Sequence, residues 1–346
     1  MRIAYLLEDT PLFGGVKVVL QHANLLARRG HEVVLVGPGE RPSWYPLDAS
    51  YRRTTGLDPH EIPRADLVVA TYWTTIERAV AARDALRAPE IVHFCQGYEG
   101  EYTHNRAEHE AIEAAYARPL PALVVSPHLG EMLRRRFGRA ARWIPQPLDG
   151  SFRPRPRLRP RRPPRILVTS PFEIDWKGVP TALRAVAALR RRGVDCVLER
   201  LSQWPAPADE TALIEADVFH RHVPPHEVPS ILRRADLLLA ASWPQEGFGL
   251  PVLEAMACGV PAVVSDIPAF RGFAEGAALF APVDDAEAFA DAAERLLGDR
   301  RLWRRRRRAG LRAAGRFTAG RTADALEEAL CWVVEGAPAN SNAGAP

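Results

Sequence analysis

Lysine is almost absent from this 346-residue chain: of 46 lysines and arginines, only Lys17 and Lys177 are lysines. Where arginine is the default cation, a lysine marks a position that wants a compact ammonium, so both are candidates for a site. Cysteine is scarce as well. Cys95, Cys196, Cys258 and Cys331 stand far apart and form no paired-cysteine motif, so the reading is buried free thiols in a reducing compartment. No apolar run is long enough to span a bilayer, and no signal-like stretch precedes Ile3. The expectation is a cytoplasmic protein, with room for peripheral contact at the inner face of a membrane. No Gly-x-Gly-x-x-Gly fingerprint follows the first strand of either half, which argues against a nicotinamide enzyme. A net charge of +4 selects no partner by itself.

What is present is the composition of a soluble globular protein, 47% hydrophobic and 25% charged, at a length that suits two domains. An apolar run at Ile3–Leu7 is followed by a helical pattern over Val16–Arg29, a capping Gly30 and a second strand at His31–Val36. Strands at Asp66–Ala70, Ile91–Phe94, Leu123–Ser126 and Arg142–Ile144 alternate with helical patterns near Thr74–Leu86, Arg106–Ala117 and Leu129–Phe137. This order predicts an α/β Rossmann-like domain over 1–150 with parallel strands. The segment 151–164 is dominated by Arg and Pro and reads as a stiff linker; a nucleic-acid arm is disfavoured because no aromatic residues interleave the arginines.

A second alternating series begins at Arg165–Thr169, with a helix over Gly178–Arg192. Strands at Cys196–Arg200, His220–Val223, Leu237–Ala241, Pro261–Val264 and Ala277–Phe280 follow. Helical patterns at Glu227–Arg234, Pro251–Cys258, Ala286–Leu297 and Arg301–Arg316 lie among or after them, giving a second Rossmann-like domain over 165–317. A last helix over 318–335, packing back on the first domain, and a disordered tail over 336–346 complete the expectation. Ligands in such sheets bind beyond the carboxyl ends of the strands, so two halves facing each other would share one cleft.

The richest stretch follows the apolar run Leu237–Ala241. Glu246-Gly247-Phe248-Gly249-Leu250-Pro251 leads into a helix that carries Glu254 and ends at Gly259. Proline suits a first helical turn, glycines allow close backbone approach, and unpaired amides at a helix start favour an anion. Carboxylates accept hydrogen bonds from sugar hydroxyls. Lys177 likewise stands at a helix start, the unfavourable end for a cation unless an anion is bound. Gly14-Gly15 forms a similar turn before the first helix, and Ser170 and His93 end strands. His220, His222 and His226 lack a completing carboxylate spacing, so no metal is expected.

Together these residues resemble the retaining glycosyltransferases of family four, glycosyl transferases group 1, with the two-domain GT-B fold. The likeness extends to Ile144-Pro145-Gln146-Pro147-Leu148-Asp149 with Phe152 and Pro154, to Trp176-Lys177-Gly178, and to Gly30-His31-Glu32-Val33. The resemblance implies a metal-independent hexosyltransferase that uses a nucleotide-diphosphate sugar and a hydroxyl acceptor, either a glycan or a natural product, with no cofactor. It implies that Glu254 holds the ribose and Glu246 the donor sugar. Phe248, Gly249 and Leu250 would offer backbone amides, and Lys177 would take the leaving diphosphate, with Gly247, Gly14, Gly15 and Ser170 nearby and His93 as a further catalytic candidate. Where the family usually has an arginine five residues before the lysine, this chain has Phe172. Gln96-Gly97-Tyr98-Glu99 is similar to a segment of rhamnosyltransferase-like members. Alternatives are a nucleotide-sugar hydrolase or epimerase on the same fold and a non-catalytic sugar-nucleotide-binding module. Arg304–Arg308 reads as a solvated helix face, whereas Arg134-Arg135-Arg136 with Arg139 and Arg142 leaves contact with acidic lipid open.

Overall fold

The computed structural model describes residues 1–337, so 338–346 of the expected tail lie outside the described residues. Two compact units divide the chain, one comprising Met1–Pro147 with the segment from Thr318 onward, the other Leu148–Phe317.

In the first unit, short apolar runs form β1 (Arg2–Leu6), β2 (Glu32–Gly37), β4 (Leu67–Ala70), β5 (Glu90–Cys95) and β6 (Ala122–Val124), and the polar edge strands β3 (Ser50–Arg53) and β7 (Ala141–Trp143) flank them. They pair in the order β3-β2-β1-β4-β5-β6-β7, and every pairing is parallel. Strands buried on both faces need continuous apolar sequence, and β1 and β4 supply it. Helices α1 (Gly14–Arg28), α2 (Trp73–Asp84), α3 (His109–Tyr116) and α4 (Pro127–Phe137) make the crossovers. The pattern near Arg106–Ala117 is split, with a 3-10 turn over Thr103–Glu108 preceding α3.

The second unit repeats this plan with β8 (Arg165–Thr169), β9 (Val197–Ser202), β10 (Val218–Arg221), β11 (Leu237–Ala240), β12 (Ala262–Ser265) and β13 (Leu279–Ala281), in the order β10-β9-β8-β11-β12-β13. Its helices are α5 (Val179–Arg191), α6 (Ala208–Leu213), α7 (Val228–Leu232), α8 (Leu250–Ala257), α9 (Pro268–Ala274), α10 (Ala286–Gly298) and α11 (Arg300–Ala314). The apolar faces of α5 and α10 close over β8 and β11, with Leu183, Val186 and Phe289 fully buried beside Trp303 of α11. Each sheet changes direction of strand addition once, at β1/β4 and at β8/β11. Loops leaving such neighbours diverge and open a crevice at the strands' carboxyl ends.

The last helix, α12 (Ala319–Val334), packs with α1 in the first unit. Thr322 Oγ1 donates to the Pro145 carbonyl at 3.0 Å, while Arg29 pairs with Asp324 and Glu327, and His31 Nε2 lies 3.0 Å from Glu327.

Three expectations change. Strand β3 and helices α6 and α9 are additions, each short and without a sustained apolar period. The Arg/Pro segment is irregular, as proline requires, but it is tied to the second unit. The fully buried Asp236 accepts from Arg157 Nη1 at 2.6 Å and from the Arg161 and Arg165 amides at 3.2 and 2.9 Å. The basic stretch near residue 134 is largely neutralised at home: Arg134 and Arg135 pair with Glu131, Arg136 with Glu113, and Arg139 is fully buried against backbone carbonyls. Arg139 therefore offers nothing to a lipid surface.

Candidate functional site

The switch point of the second sheet gathers the lysine loop after β8 and the glutamate loop after β11. Lys177 ends a 3-10 turn (Asp175–Lys177), and Gly178 follows at φ +60°. A Cβ at Gly178 would lie 1.9 Å from the Ala241 carbonyl, so only glycine lets the two loops touch. The Trp243 amide donates to the Trp176 carbonyl at 2.7 Å, stitching them together. Lys177 Nζ thereby meets Glu246 Oε2 at 2.7 Å, although 69 residues separate them.

Glu246 is buried, and the Ser242 hydroxyl also donates to it at 3.1 Å. Burial pushes its carboxyl up, but the charge and hydrogen bond of Lys177, the Ser242 hydroxyl and the Phe248 amide outweigh that and hold it below its ordinary value. The carboxylate is therefore charged at neutral pH. The Phe248 amide, expected to face a ligand, is spent on Glu246 instead; the Phe248 ring stacks on Phe273 at 4.6 Å between centroids.

Gly247 and Gly249 are buried in the turn that starts α8. Gly249 has φ +91°, and a Cβ there would meet the Phe270 ring at 2.3 Å. Leu250 and Pro251 open the helix, and Glu254 follows one turn later, half-buried. At the end of β8, Ser170 holds φ +86°, a left-handed conformation rare for a side-chain-bearing residue. Its amide donates to Leu201 O at 2.9 Å and its carbonyl accepts from Arg200 at 2.9 Å, which fixes the strained peptide.

Several supporting residues carried no readable motif. Asp284 Oδ1 accepts from the Trp243 indole at 3.0 Å and from Thr181 Oγ1 at 2.7 Å, tying the glutamate loop to the first turn of α5. Arg200, fully buried, pairs with Glu210 at 2.6 Å and also donates to Val168 O at 2.8 Å. The only prior signal for that pair was a charged residue inside an apolar strand. Phe172 packs against the core of the second unit, so its position presents no cation.

In the first unit, Gly14 and Gly15 begin α1, and Gln96 Nε2 donates to Gly15 O at 3.2 Å. His93 corrects an expectation. It is fully buried, its ring lies edge-on to Tyr116 at 5.1 Å, and neither nitrogen has a partner. Burial, then the Arg139 charge, hold it well below its ordinary value, so it is a neutral histidine inside the core of the first unit. Ser126 occupies the N-cap position of α4 with its hydroxyl buried and unpaired. Glu99 is buried against Tyr116, and burial raises its carboxyl to about 7.

Among the described residues no group of three or more His, Cys, Asp or Glu is arranged to hold a metal, and no helix is long and apolar enough to cross a membrane. His220 leans on Glu199 at 3.3 Å.

The family-model match falls in this second unit. Residues 163–299 match the family model described as glycosyl transferases group 1. A D-inositol 3-phosphate glycosyltransferase of Nocardia farcinica is 33% identical over 198 residues, 54% of this chain and 42% of that protein, so the chain matches less than half of that relative's length. Among solved structures, Anabaena HepE in complex with UDP and glucose superposes with a TM-score of 0.77 at 16% identity, covering 96% of this chain and 99% of that one. A sucrose-phosphate synthase from Thermosynechococcus elongatus gives 0.75 at 18% identity, covering 97% and 100%. At these identities the structures establish the shared fold, two parallel α/β domains of the GT-B type.

Proposed function

We propose that this GT4-like chain of GT-B fold moves a sugar from a nucleotide-diphosphate sugar to an acceptor hydroxyl, with retention and without a metal. The observation that carries the reading is the Lys177–Glu246 pair, held at the switch point of the sheet within the matched family segment. The structural neighbour named with UDP and glucose supports a nucleotide-diphosphate donor, and the curated relative named a glycosyltransferase supports sugar transfer.

The pair suits leaving-group chemistry. An ammonium has three donors and a carboxylate about four acceptor sites, so Lys177 keeps donors for a ligand, while Glu246, which also accepts from Ser242 and Phe248, keeps about one acceptor site. Lys177 would stabilise charge as it develops on the departing diphosphate, with no reorganisation because Glu246 already holds it in place. Glu246 would accept from donor-sugar hydroxyls, Glu254 from the ribose, and the amides of Gly249 and Leu250 would face the diphosphate. Gly14 and Gly15 form a second glycine turn suited to an anion, and the first domain would supply the acceptor surface. The remaining work is positioning, which requires no enzymic nucleophile.

The test is a thermal-shift panel of nucleotide diphosphates and nucleotide sugars, followed by product analysis with the best donor. A ligand at about a hundred times its Kd stabilises by about 2.7 kcal/mol. Lys177→Ala and Glu246→Ala should each abolish transfer. Wild-type rates in both would refute the assignment, and sugar released only as the free reducing sugar would identify a hydrolase.

A further inference from the structure

A second charged feature lies in the second domain at the other end of its sheet. Asp236 immediately precedes β11, and the Arg/Pro strap that it anchors runs along this amino-terminal edge, whereas Lys177 and Glu246 follow the carboxyl ends of β8 and β11. Between the strap and α11 is a cavity of about 560 Å³ lined by Pro156, Arg157, Leu158, Arg304, Arg307 and Arg308. Positions 304, 307 and 308 fall at i, i+3 and i+4, so three guanidiniums share one helix face, an arrangement that is unfavourable without a counter-charge.

No carboxylate lines the cavity. The nearest one that the strap uses, Asp236, is already bonded to Arg157 and to two backbone amides and lies 3.5 Å from Arg161. Arg307 gives one nitrogen to the Arg155 carbonyl, while its Nε is buried with no partner. Burial lowers Arg307 below its ordinary value. Arg157 is also lowered, by burial and by the charges of Arg161 and Arg307, against the opposing pull of Asp236. The repulsion is therefore only partly compensated by the chain itself. Two flanking apolar groups, Pro156 and the exposed Leu158, border the charged wall.

We propose that this cavity is an anion site, separate from the sugar-nucleotide site, that takes a phosphoryl-bearing ligand of at least two negative charges. Guanidinium forks match phosphoryl oxygens in pairs, and a cavity of this volume holds a small phosphorylated molecule or a phospholipid headgroup. Occupancy would neutralise Arg304, Arg307 and Arg308 together and clamp α11 to the strap that leads into β8.

Calorimetric titration with inorganic pyrophosphate and co-sedimentation with vesicles of phosphatidylglycerol in phosphatidylcholine separate the two sources of the same chemistry. Binding in either arm is expected for the wild type and for Lys177→Ala, which removes the candidate diphosphate cation at the other end of the sheet. Arg304→Gln with Arg308→Gln should weaken it about a hundredfold, about tenfold for each guanidinium removed, and Arg308→Gln alone about tenfold. The control is Arg301→Gln with Arg305→Gln, which removes the same charge from exposed positions of the same helix and should leave the affinity within about twofold. The proposal is overturned if neither probe binds, if control and cavity variants weaken equally, or if Lys177→Ala removes all pyrophosphate binding and vesicles do not bind.

Discussion

Removing Lys177 should leave a buried carboxylate whose cost depends on pH. In the wild type, Glu246 keeps its charge because Lys177, Ser242 and Phe248 together outweigh burial. Its folded-state affinity for protons lies below the unfolded one, so its contribution to stability is present above the ordinary value of 4.5 and is lost as pH falls through the folded value. Lys177→Ala deletes the largest of the opposing effects, and burial then raises the carboxyl. Breaking a buried pair from one side costs about 3–5 kcal/mol. The lower end applies here, because the Lys177 side chain is 24% exposed and two neutral donors to Glu246 remain. For a domain of this size, about 3 kcal/mol corresponds to a fall in Tm of about 6–12 °C for its transition. As pH falls, Glu246 in the variant takes up a proton and its penalty disappears, so the difference should shrink to about 1 kcal/mol or less near pH 4. Differential scanning calorimetry of both proteins at pH 7 and pH 4 measures this. A deficit that is equal at the two pH values would refute the reasoning.

The Gly178→Ala substitution places a methyl on the Ala241 carbonyl and strains a left-handed residue, at about 1–3 kcal/mol for the backbone alone; it should abolish the thermal shift produced by nucleotide diphosphates. Asp236→Ala strands Arg157 beside a buried gap, with an expected loss of about 3–5 kcal/mol. Limited trypsin digestion should then cut within 153–165 far faster than in the wild type, and unchanged cleavage would show that the strap is held otherwise. His93→Leu should preserve transfer within about twofold and leave stability within about 1 kcal/mol, because the ring makes no hydrogen bond; a loss of activity at unchanged stability would restore it as a catalytic candidate. Burial lowers His22 from 6.5 to about 3, so the folded state binds fewer protons than the unfolded state as pH falls through that window. The stability of His22→Leu relative to wild type should therefore rise by about 1.4 kcal/mol for each pH unit below 6.5, measured by denaturant unfolding.

The alternation of apolar runs with helical periods was readable because a parallel strand covered on both faces must be apolar throughout and its crossover helix on one side only. By the same logic β3, α6 and α9 escaped notice. β3, at the edge of its sheet, is Ser-Tyr-Arg-Arg with exposed Arg52 and Arg53 and carries no apolar run, while α6 and α9 are one- to two-turn helices without a repeated apolar face. Single residues proved harder than elements. His93 sits in a strand that ends at the sheet's carboxyl edge, but the pleat turns it into the core beside Tyr116, and only packing decides which face a strand residue takes.

The sequence alone determined two parallel α/β halves and an unusual lysine and glutamate, each next to glycines at a helix start, because local periodicity and backbone permissiveness act over a few residues. Tertiary structure decided that Lys177 and Glu246 are partners. That pairing depends on the adjacency of β8 and β11, which lie far apart in sequence, and on a glycine whose missing Cβ lets one loop rest on the carbonyl of the other. It also decided the fate of the arginines. Whether a guanidinium is spent on a buried carboxylate, as Arg157 is on Asp236, or left facing a cavity, as Arg304 and Arg308 are, depends on which groups the fold brings within hydrogen-bonding distance.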